Sequence, residues 1–257
     1  MGALHEGHLS LIRAAQERCD CTAVSIFVNP LQFGPTEDFA LYPRTFEQDL
    51  SLLEREGVDL LFAPSPEEMY PSQLQTFVEV SDIGDRLDGA SRPGHFRGVT
   101  TVVAKLFHIV QPDYAFFGQK DAAQVAVIRA MVRDLNFDVE VVVCPTVRES
   151  NHLAMSSRNR YLTADERKQA EALSRSLKNV THAFESGERN PKQLRELLVE
   201  ELASSNSLRL DYAEIVDPNT LMVVEELPSE TLVAVAAWVG TTRLIDNCIL
   251  RIDGANV

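Results

Sequence analysis

The sequence predicts an α/β fold, with a Rossmann-like domain built on parallel strands and a smaller C-terminal α+β domain. Three observations carry that prediction. Short β-branched runs alternate with amphipathic helical runs as far as residue 147, and such alternation builds a parallel sheet with crossover helices. Beyond that point two long helices precede three strands, the order of a separate α+β unit. At 257 residues, 45% apolar and 24% charged, the chain has ordinary globular composition and room for two modest domains.

Taken in order, Leu9, Leu11, Ile12 and Ala15 have helical spacing just after His8. TAVSIFV (22–28) is short and β-branched, a buried strand. NPLQFGPTED is a loop, TFEQDLSLLEREG a helix stopped by Gly57, and VDLLFAP the next strand. FVEVSD (77–82) reads as a further strand, and DGASRPGHFRG (88–98) as a Gly/Pro loop with two arginines. VTTVVAKLFHIV is a helix despite its β-branched content, because Val102, Val103, Leu106, Phe107 and Val110 share one stripe. YAFFG (114–118) is a strand, DAAQVAVIRAMVRDL (121–135) a helix, and DVEVVVCPTV (138–147) the last strand of this half. The polar stretch ESNHLAMSSRNRYL then leads to helices at 163–185 and 191–203 and strands near 208–216, 231–239 and 242–251. The boundary falls near 146–149, giving domains 1–147 and 148–257.

The net charge of −14 argues against general nucleic-acid binding. It leaves an anionic substrate open, because a few local cations can dominate a cleft. Four scattered cysteines show no zinc spacing, so no metal site is expected from them; they suit reduced thiols in the cytoplasm. No run approaches the roughly 18 apolar residues of a membrane span, and the first residues do not resemble a signal peptide.

Four clusters carry candidate chemistry. His5 and His8 lie three apart at a helix start, on one face. Free N–H groups and the helix dipole attract anions there, and two imidazoles add donors for phosphate oxygens. The same pair also suits a frayed, exposed terminus. FGQKDAAQ (117–124) runs from a strand through Gly118 to Lys120 and Asp121 at a helix start, where open α/β sheets bind ligands. Lys120 can meet a phosphate as a point charge, and Gln124 sits one turn on; Asp121 equally suits a helix cap. MSSRN (155–159) offers two hydroxyls and a guanidinium on one short loop, apt for a polyphosphate or for a simple polar turn. FVNPLQFGPTED sets Leu31 and Phe33 beside Asn29 and Gln32, the mix that lines small-molecule pockets, though a structured turn needs no more.

Together, MGALHEGHLSLI, FVNPLQFGPTEDFALYPR, RPGHFRGVTTVVAKLF, FFGQKD, PTVRES, LAMSSRNRYL and TTRLIDN resemble the pantothenate synthetase (pantoate–β-alanine ligase) family of the HIGH-type nucleotidyltransferase superfamily. The stretches run in family order over nearly the whole chain, and MSSRN is similar to the superfamily's KMSKS-like loop. The resemblance implies two steps. Pantoate carboxylate attacks the α-phosphorus of Mg-ATP, giving pantoyl adenylate and pyrophosphate; the β-alanine amine then releases AMP and pantothenate. It also implies a C-terminal lid domain, Mg²⁺ as cofactor and a homodimer.

Carried over, the resemblance makes His5 and His8 phosphate-binding histidines, with His8 also near the ribose and Met1 and Gly2 beside the nucleotide. Lys120 matches the lysine on the ATP phosphates, with Gly118 and Asp121 near the ribose. Gln32 and Gln124 match the amides that hold pantoate, with Asn29 nearby. Ser156, Ser157 and Arg158 match the closing phosphate loop, preceded by Met155, and Val147 falls by the adenine. Arg92 and His95 match a loop near the pocket. Of these, His5, His8, Lys120, Ser156, Ser157 and Arg158 form the expected catalytic set.

Two departures stand against the family pattern. The family has a strand and a Pro-Thr before this Met1-Gly2, so the first strand is expected to be absent from the given chain, with unpaired neighbours as a result. Asn151-His152 replaces Asp-Gly, and a glycine there takes positive φ, which histidine tolerates poorly. Ala123 also stands where glutamine is usual, with Gln124 retained. Two other readings follow: an inactive or truncated homologue that binds nucleotide, and a related nucleotidyltransferase acting on a phosphorylated acceptor. The amides Gln32 and Gln124 disfavour the latter, which would want more cationic side chains.

Overall fold

The computed structural model describes residues 2–35, 37–204 and 208–252. Its elements are α1 (Glu6–Gln16), β1 (Ala23–Ser25), α2 (Phe46–Glu56), β2 (Leu60–Phe62), α3 (Pro66–Met69), α4 (Asp88–Ser91), α5 (His95–Val110), β3 (Tyr114–Gly118), α6 (Ala122–Asp134), β4 (Glu140–Cys144), α7 (Ala164–Glu185), α8 (Pro191–Ala203), β5 (Leu208–Val216), β6 (Glu230–Val239) and β7 (Thr242–Arg251). The chain divides into two units, one running up to Gln119 and resuming at Ala123–Pro145, the other comprising Lys120–Ala122 and everything from Thr146 on.

The first unit is α/β with parallel strands. β1 pairs with β2, Val24 opposite Leu61, and β3 pairs with β4, Phe116 opposite Val142. These are two separate two-stranded ladders among the described residues. The apolar stripe of α1 buries Leu9 and Ile12 against Val24 and Leu53. Gly57 ends α2 at φ +70, a left-handed turn that costs glycine nothing. In α6, Val127 and Ile128 are wholly buried.

The second unit is α+β. β5, β6 and β7 form one antiparallel sheet. The amphipathic α7 begins with a capping box in which Thr163 accepts from the Glu166 N–H and Glu166 accepts from the Thr163 N–H. Leu173, Leu177 and Val180 of α7, Leu194 and Leu198 of α8, and Val233 and Val235 of β6 share one core.

The fold class expected from the sequence stands. Two local expectations do not. No strand forms at 77–82: the Val78 carbonyl accepts from the Thr100 hydroxyl at 2.6 Å and its N–H donates to the Thr101 hydroxyl at 3.1 Å. Side chains on α5 thus satisfy the backbone groups that a ladder would otherwise use. The 88–98 loop also contains the single turn α4, and α5 begins at His95 rather than Val99.

Candidate active site

The first unit brings two of the candidate clusters into defined geometry. His5 is the residue before α1, extended at φ −147 and ψ 173. Its ring stacks on that of His8, centroids 4.0 Å apart, as expected for residues three apart on one helical face. The approach to this helix is held by a buried carboxylate. Asp49, 2% exposed, accepts from the N–H groups of Ala3 and Leu4 at 2.8 Å each and from the Thr45 hydroxyl at 3.1 Å. Gly2, next to Ala3, is buried, whereas Met1, expected with it beside the nucleotide, lies outside the described residues.

The second cluster is the turn from Asn29 to Gln32, closed as a short 3₁₀ helix over Pro30–Gln32. Asn29 is 2% exposed and its amide reaches Gln32 Oε1 at 3.2 Å. The Gln32 carbonyl is held by His95 Nδ1 at 2.7 Å and Arg92 Nη2 at 3.3 Å. Arg92 in turn binds the Glu37 carboxylate at 2.6 and 2.8 Å and reaches His95 Nε2 at 3.0 Å. A carbonyl only accepts and a guanidinium only donates, so His95 is the neutral tautomer with its proton on Nδ1. Burial, then the charge of Arg92, pushes its pKa down to about 4, in keeping with an uncharged ring. With both nitrogens engaged, His95 positions a loop; it is not a free base. Gln124 lies half-buried in the first turns of α6, and Gly118 closes β3.

In the second unit, Lys120 and Asp121 lie on a 3₁₀ turn, Gln119–Asp121, that leads directly into α6 and so stand at a helix start, as expected. Lys120 Nζ meets Asp121 Oδ1 at 3.2 Å, and its carbonyl accepts from Asn247 Nδ2 at 2.9 Å. The neighbouring Asp246, with its side chain 1% exposed, pairs bidentately with Arg148 at 2.6 and 2.9 Å. The TTRLIDN and PTVRES stretches thus meet through an ion pair. Val147, half-buried, accepts from the Met155 N–H at 2.9 Å.

Ser156 caps the 3₁₀ segment Ser157–Tyr161 by accepting from the Arg158 N–H. The buried Asn159 ties this turn to Glu149 Oε1 at 2.7 Å and to the Ala154 carbonyl at 3.0 Å, and Arg167 binds both Glu149 and the Asn159 carbonyl. Before the loop, His152 adopts φ +69, the conformation expected where the family has glycine. Its N–H donates to the Glu149 carbonyl at 2.9 Å. A side chain held there is strained by about 1 kcal/mol. His152→Gly is therefore expected to stabilise this chain by up to about 0.5 kcal/mol, once the roughly 0.4–1 kcal/mol cost of glycine's added freedom in the unfolded state is set against the strain relieved. Thermal denaturation of the two forms checks it; a lower Tm for the variant would contradict it.

Sequence reasoning passed over Asp49, Tyr70, Gly98, Asp246 and Asn247. Tyr70 donates its hydroxyl to Asn29 Oδ1 at 2.8 Å, and the Gly98 carbonyl accepts from Asn29 Nδ2 at 3.0 Å.

An α/β unit with polar turns after its parallel strands has the arrangement in which such folds take ligands, outside the strand C-termini, and the antiparallel unit carries a Ser-Ser-Arg turn. The pantoate–β-alanine ligase family model matches residues 1–249, and the chain belongs to that family. It is 61% identical over 97% of its length to a pantothenate synthetase of Acidobacterium capsulatum, covering 84% of that protein. To the Thermotoga neapolitana pantothenate synthetase it is 58% identical, covering 97% of this chain and 89% of the relative. The crystal structure of the Thermus thermophilus enzyme superposes with a TM-score of 0.94 at 47% identity, over 96% of this chain and 90% of that one. A pantoate–β-alanine ligase from Francisella tularensis, solved with beta-gamma ATP and β-alanine, matches at a TM-score of 0.79 and 35% identity, over 97% of this chain and 87% of that one.

Proposed function

We propose that this chain condenses pantoate with β-alanine at the expense of ATP, through pantoyl adenylate, releasing AMP and pyrophosphate. Membership of the pantoate–β-alanine ligase family across residues 1–249 carries the reading. The stacked histidines, the half-buried turn holding Gln32 and the Ser-Ser-Arg turn supply groups suited to it. His5 and His8 donate to phosphate oxygens, aided by the N-terminus of α1. Lys120, with Ser156, Ser157 and Arg158, stabilises charge gathering on the phosphoryl group and the leaving pyrophosphate. Gly118, Asp121, Val147 and Met155 border the nucleoside. Gln32 and Gln124 hold pantoate, and Asn29 supports Gln32.

A carboxylate is already nucleophilic near neutral pH, so adenylation needs alignment more than a base. Mg²⁺ belongs to this proposal as the companion of ATP, lowering the charge on the phosphates when bound. No group of three or more His, Cys, Asp or Glu side chains able to hold a metal occurs among the described residues, and a magnesium ion bound largely through substrate phosphates and water needs none. The proposal includes residues 1–147 as the ATP and pantoate domain, 148–257 as a lid domain, a homodimer and a cytoplasmic setting. No helix of the described residues is long and apolar enough to cross a membrane.

The test is pyrophosphate release by this chain with ATP, Mg²⁺ and pantoate, with and without β-alanine. Release that depends on pantoate, and pantothenate once β-alanine is added, is the expected result. Nucleotide binding by folded protein with no pantoate-dependent release would favour an inactive homologue instead.

A further inference from the structure

We propose that Tyr70 and Asn29 act as positioning residues that lock the Gln32 amide with its N–H donors toward substrate, so that the substrate group meeting Gln32 must be a hydrogen-bond acceptor. This rests on the reading of Gln32 as a pantoate ligand.

Donor and acceptor logic alone carries the argument. A carboxamide carries one acceptor oxygen and one donor nitrogen, and its orientation follows from neighbours that can play only one part. Asn29 has two such neighbours. The Gly98 carbonyl can only accept, so the atom 3.0 Å from it is Nδ2. The Leu31 N–H can only donate, so the atom 3.3 Å from it is Oδ1. The Asn29 orientation is thereby set by backbone.

Two consequences follow. The Tyr70 hydroxyl, 2.8 Å from Oδ1, must donate to it. Burial pushes the Tyr70 pKa up to about 12, so the proton it donates stays in place throughout the working range. The second hydrogen on Nδ2 points to Gln32 at 3.2 Å, so the Gln32 atom there is Oε1. Asn29, 2% exposed, has then used two donors and two acceptors on four protein partners, and no hydrogen-bonding capacity is left for substrate. Gln32 has committed its oxygen, and since its Nε2 has no partner among the described residues, both of its N–H groups are kept for a ligand. A carboxylate or hydroxyl lone pair fits them; an ammonium does not. Meanwhile the main chain of Gln32 is gripped by His95 and Arg92. Side chain and backbone of one residue are thus fixed by two independent sets of contacts.

Two variants test this, each assayed by pantoate-dependent pyrophosphate release with separate KM values for pantoate and ATP. Tyr70→Phe keeps the ring that packs edge-on to Phe27 and removes only the hydroxyl. The KM for pantoate is expected to rise about five- to tenfold, with the KM for ATP within twofold of wild type. Gln32→Glu accepts from Asn29 with one oxygen and turns the other on the substrate. If Gln32 offers donors, the KM for pantoate rises at least about fiftyfold and stays raised at high salt; if it offered its oxygen, only charge repulsion would raise it, and salt would screen that rise back toward wild type. A pantoate KM within twofold of wild type in either variant, at low or high salt, or an ATP KM rising in step in Tyr70→Phe, overturns the proposal. A wild-type chain with no pantoate-dependent release removes the underlying reading and the proposal with it, whereas failure in the variants alone removes only the proposal.

Discussion

Lys120→Ala is expected to lower kcat/KM for pantoate-dependent pyrophosphate release by at least about a hundredfold, with little change in Tm. The size follows from the chemistry assigned to the side chain. Charge accumulates on phosphoryl oxygens and pyrophosphate as the α-phosphorus is attacked, and removing one preorganised donor to such charge costs about 3 kcal/mol. The small stability effect follows from its surroundings. The side chain is 20% exposed and its ion pair with Asp121 joins adjacent residues, Asp121 itself being 46% exposed; pairs of this kind contribute about 0–1 kcal/mol. What the fold invests in Lys120 is its main chain, which Asn247 holds at 2.9 Å and which alanine retains. Steady-state kinetics and thermal denaturation on the same preparation check both halves. A loss of activity matched by a large fall in Tm would place Lys120 in the structure instead of the chemistry. A Lys120→Arg control separates charge from shape: guanidinium keeps the charge but not the compact geometry of ammonium, so partial recovery is expected.

How much of this was legible in the sequence depends on the range of the interactions involved. The helices α1, α2, α6, α7 and α8 follow from apolar periodicity and local stops, which are properties of neighbouring residues; so do the three C-terminal strands. The missing strand at 77–82 shows the limit. Its alternation is that of a strand, but Thr100 and Thr101 supply its hydrogen bonds from more than twenty residues away, and no local pattern announces that.

The site divides in the same way. His5 and His8, Lys120 and the Ser-Ser-Arg turn stand out as clusters of candidate chemistry that also have bland readings, and Gln32 gains its expected role only through the family resemblance. The groups that hold them mostly do not stand out, because a Tyr70 or a Gly98 has many ordinary uses. Asp49 is the instructive case. It stands four residues before the buried Leu53 on the same face of α2, and a carboxylate on an apolar stripe is a readable sign of a buried acceptor seeking donors. Which donors it finds, the N–H groups of Ala3 and Leu4, only the tertiary fold supplies.

Gly98→Ala is expected to be a damaging single-carbon change around the Asn29–Gln32 turn, which is proposed to hold pantoate. A helix-interior glycine normally costs about 1 kcal/mol relative to alanine, so on propensity alone the change should stabilise α5. The contacts reverse that sign. A Cβ at 98 would fall 2.2 Å from the Leu31 carbonyl oxygen, 2.4 Å from its carbon and 2.7 Å from the Gln32 nitrogen. All three are backbone atoms, with no rotamer by which to withdraw. The helix and the Pro30–Gln32 turn must therefore separate. Separation stretches the Asn29–Gly98 hydrogen bond and the grip of Arg92 and His95 on the Gln32 carbonyl, because those three residues lie on or beside α5. Overpacking of this kind typically costs about 1–3 kcal/mol. Three backbone contacts under 3 Å put the cost at the upper end, about 3 kcal/mol, so at about 2 kcal/mol net of the propensity gain Tm should fall by roughly 4–8 °C for a protein of this size. The KM for pantoate should rise at least about tenfold while that for ATP stays within a few-fold, since His5 and His8 are anchored independently through Asp49. Differential scanning calorimetry and the two KM values decide it. A variant with raised Tm and unchanged pantoate KM would mean that the turn yields freely, and the close approach of α5 would then be incidental to how Gln32 is held.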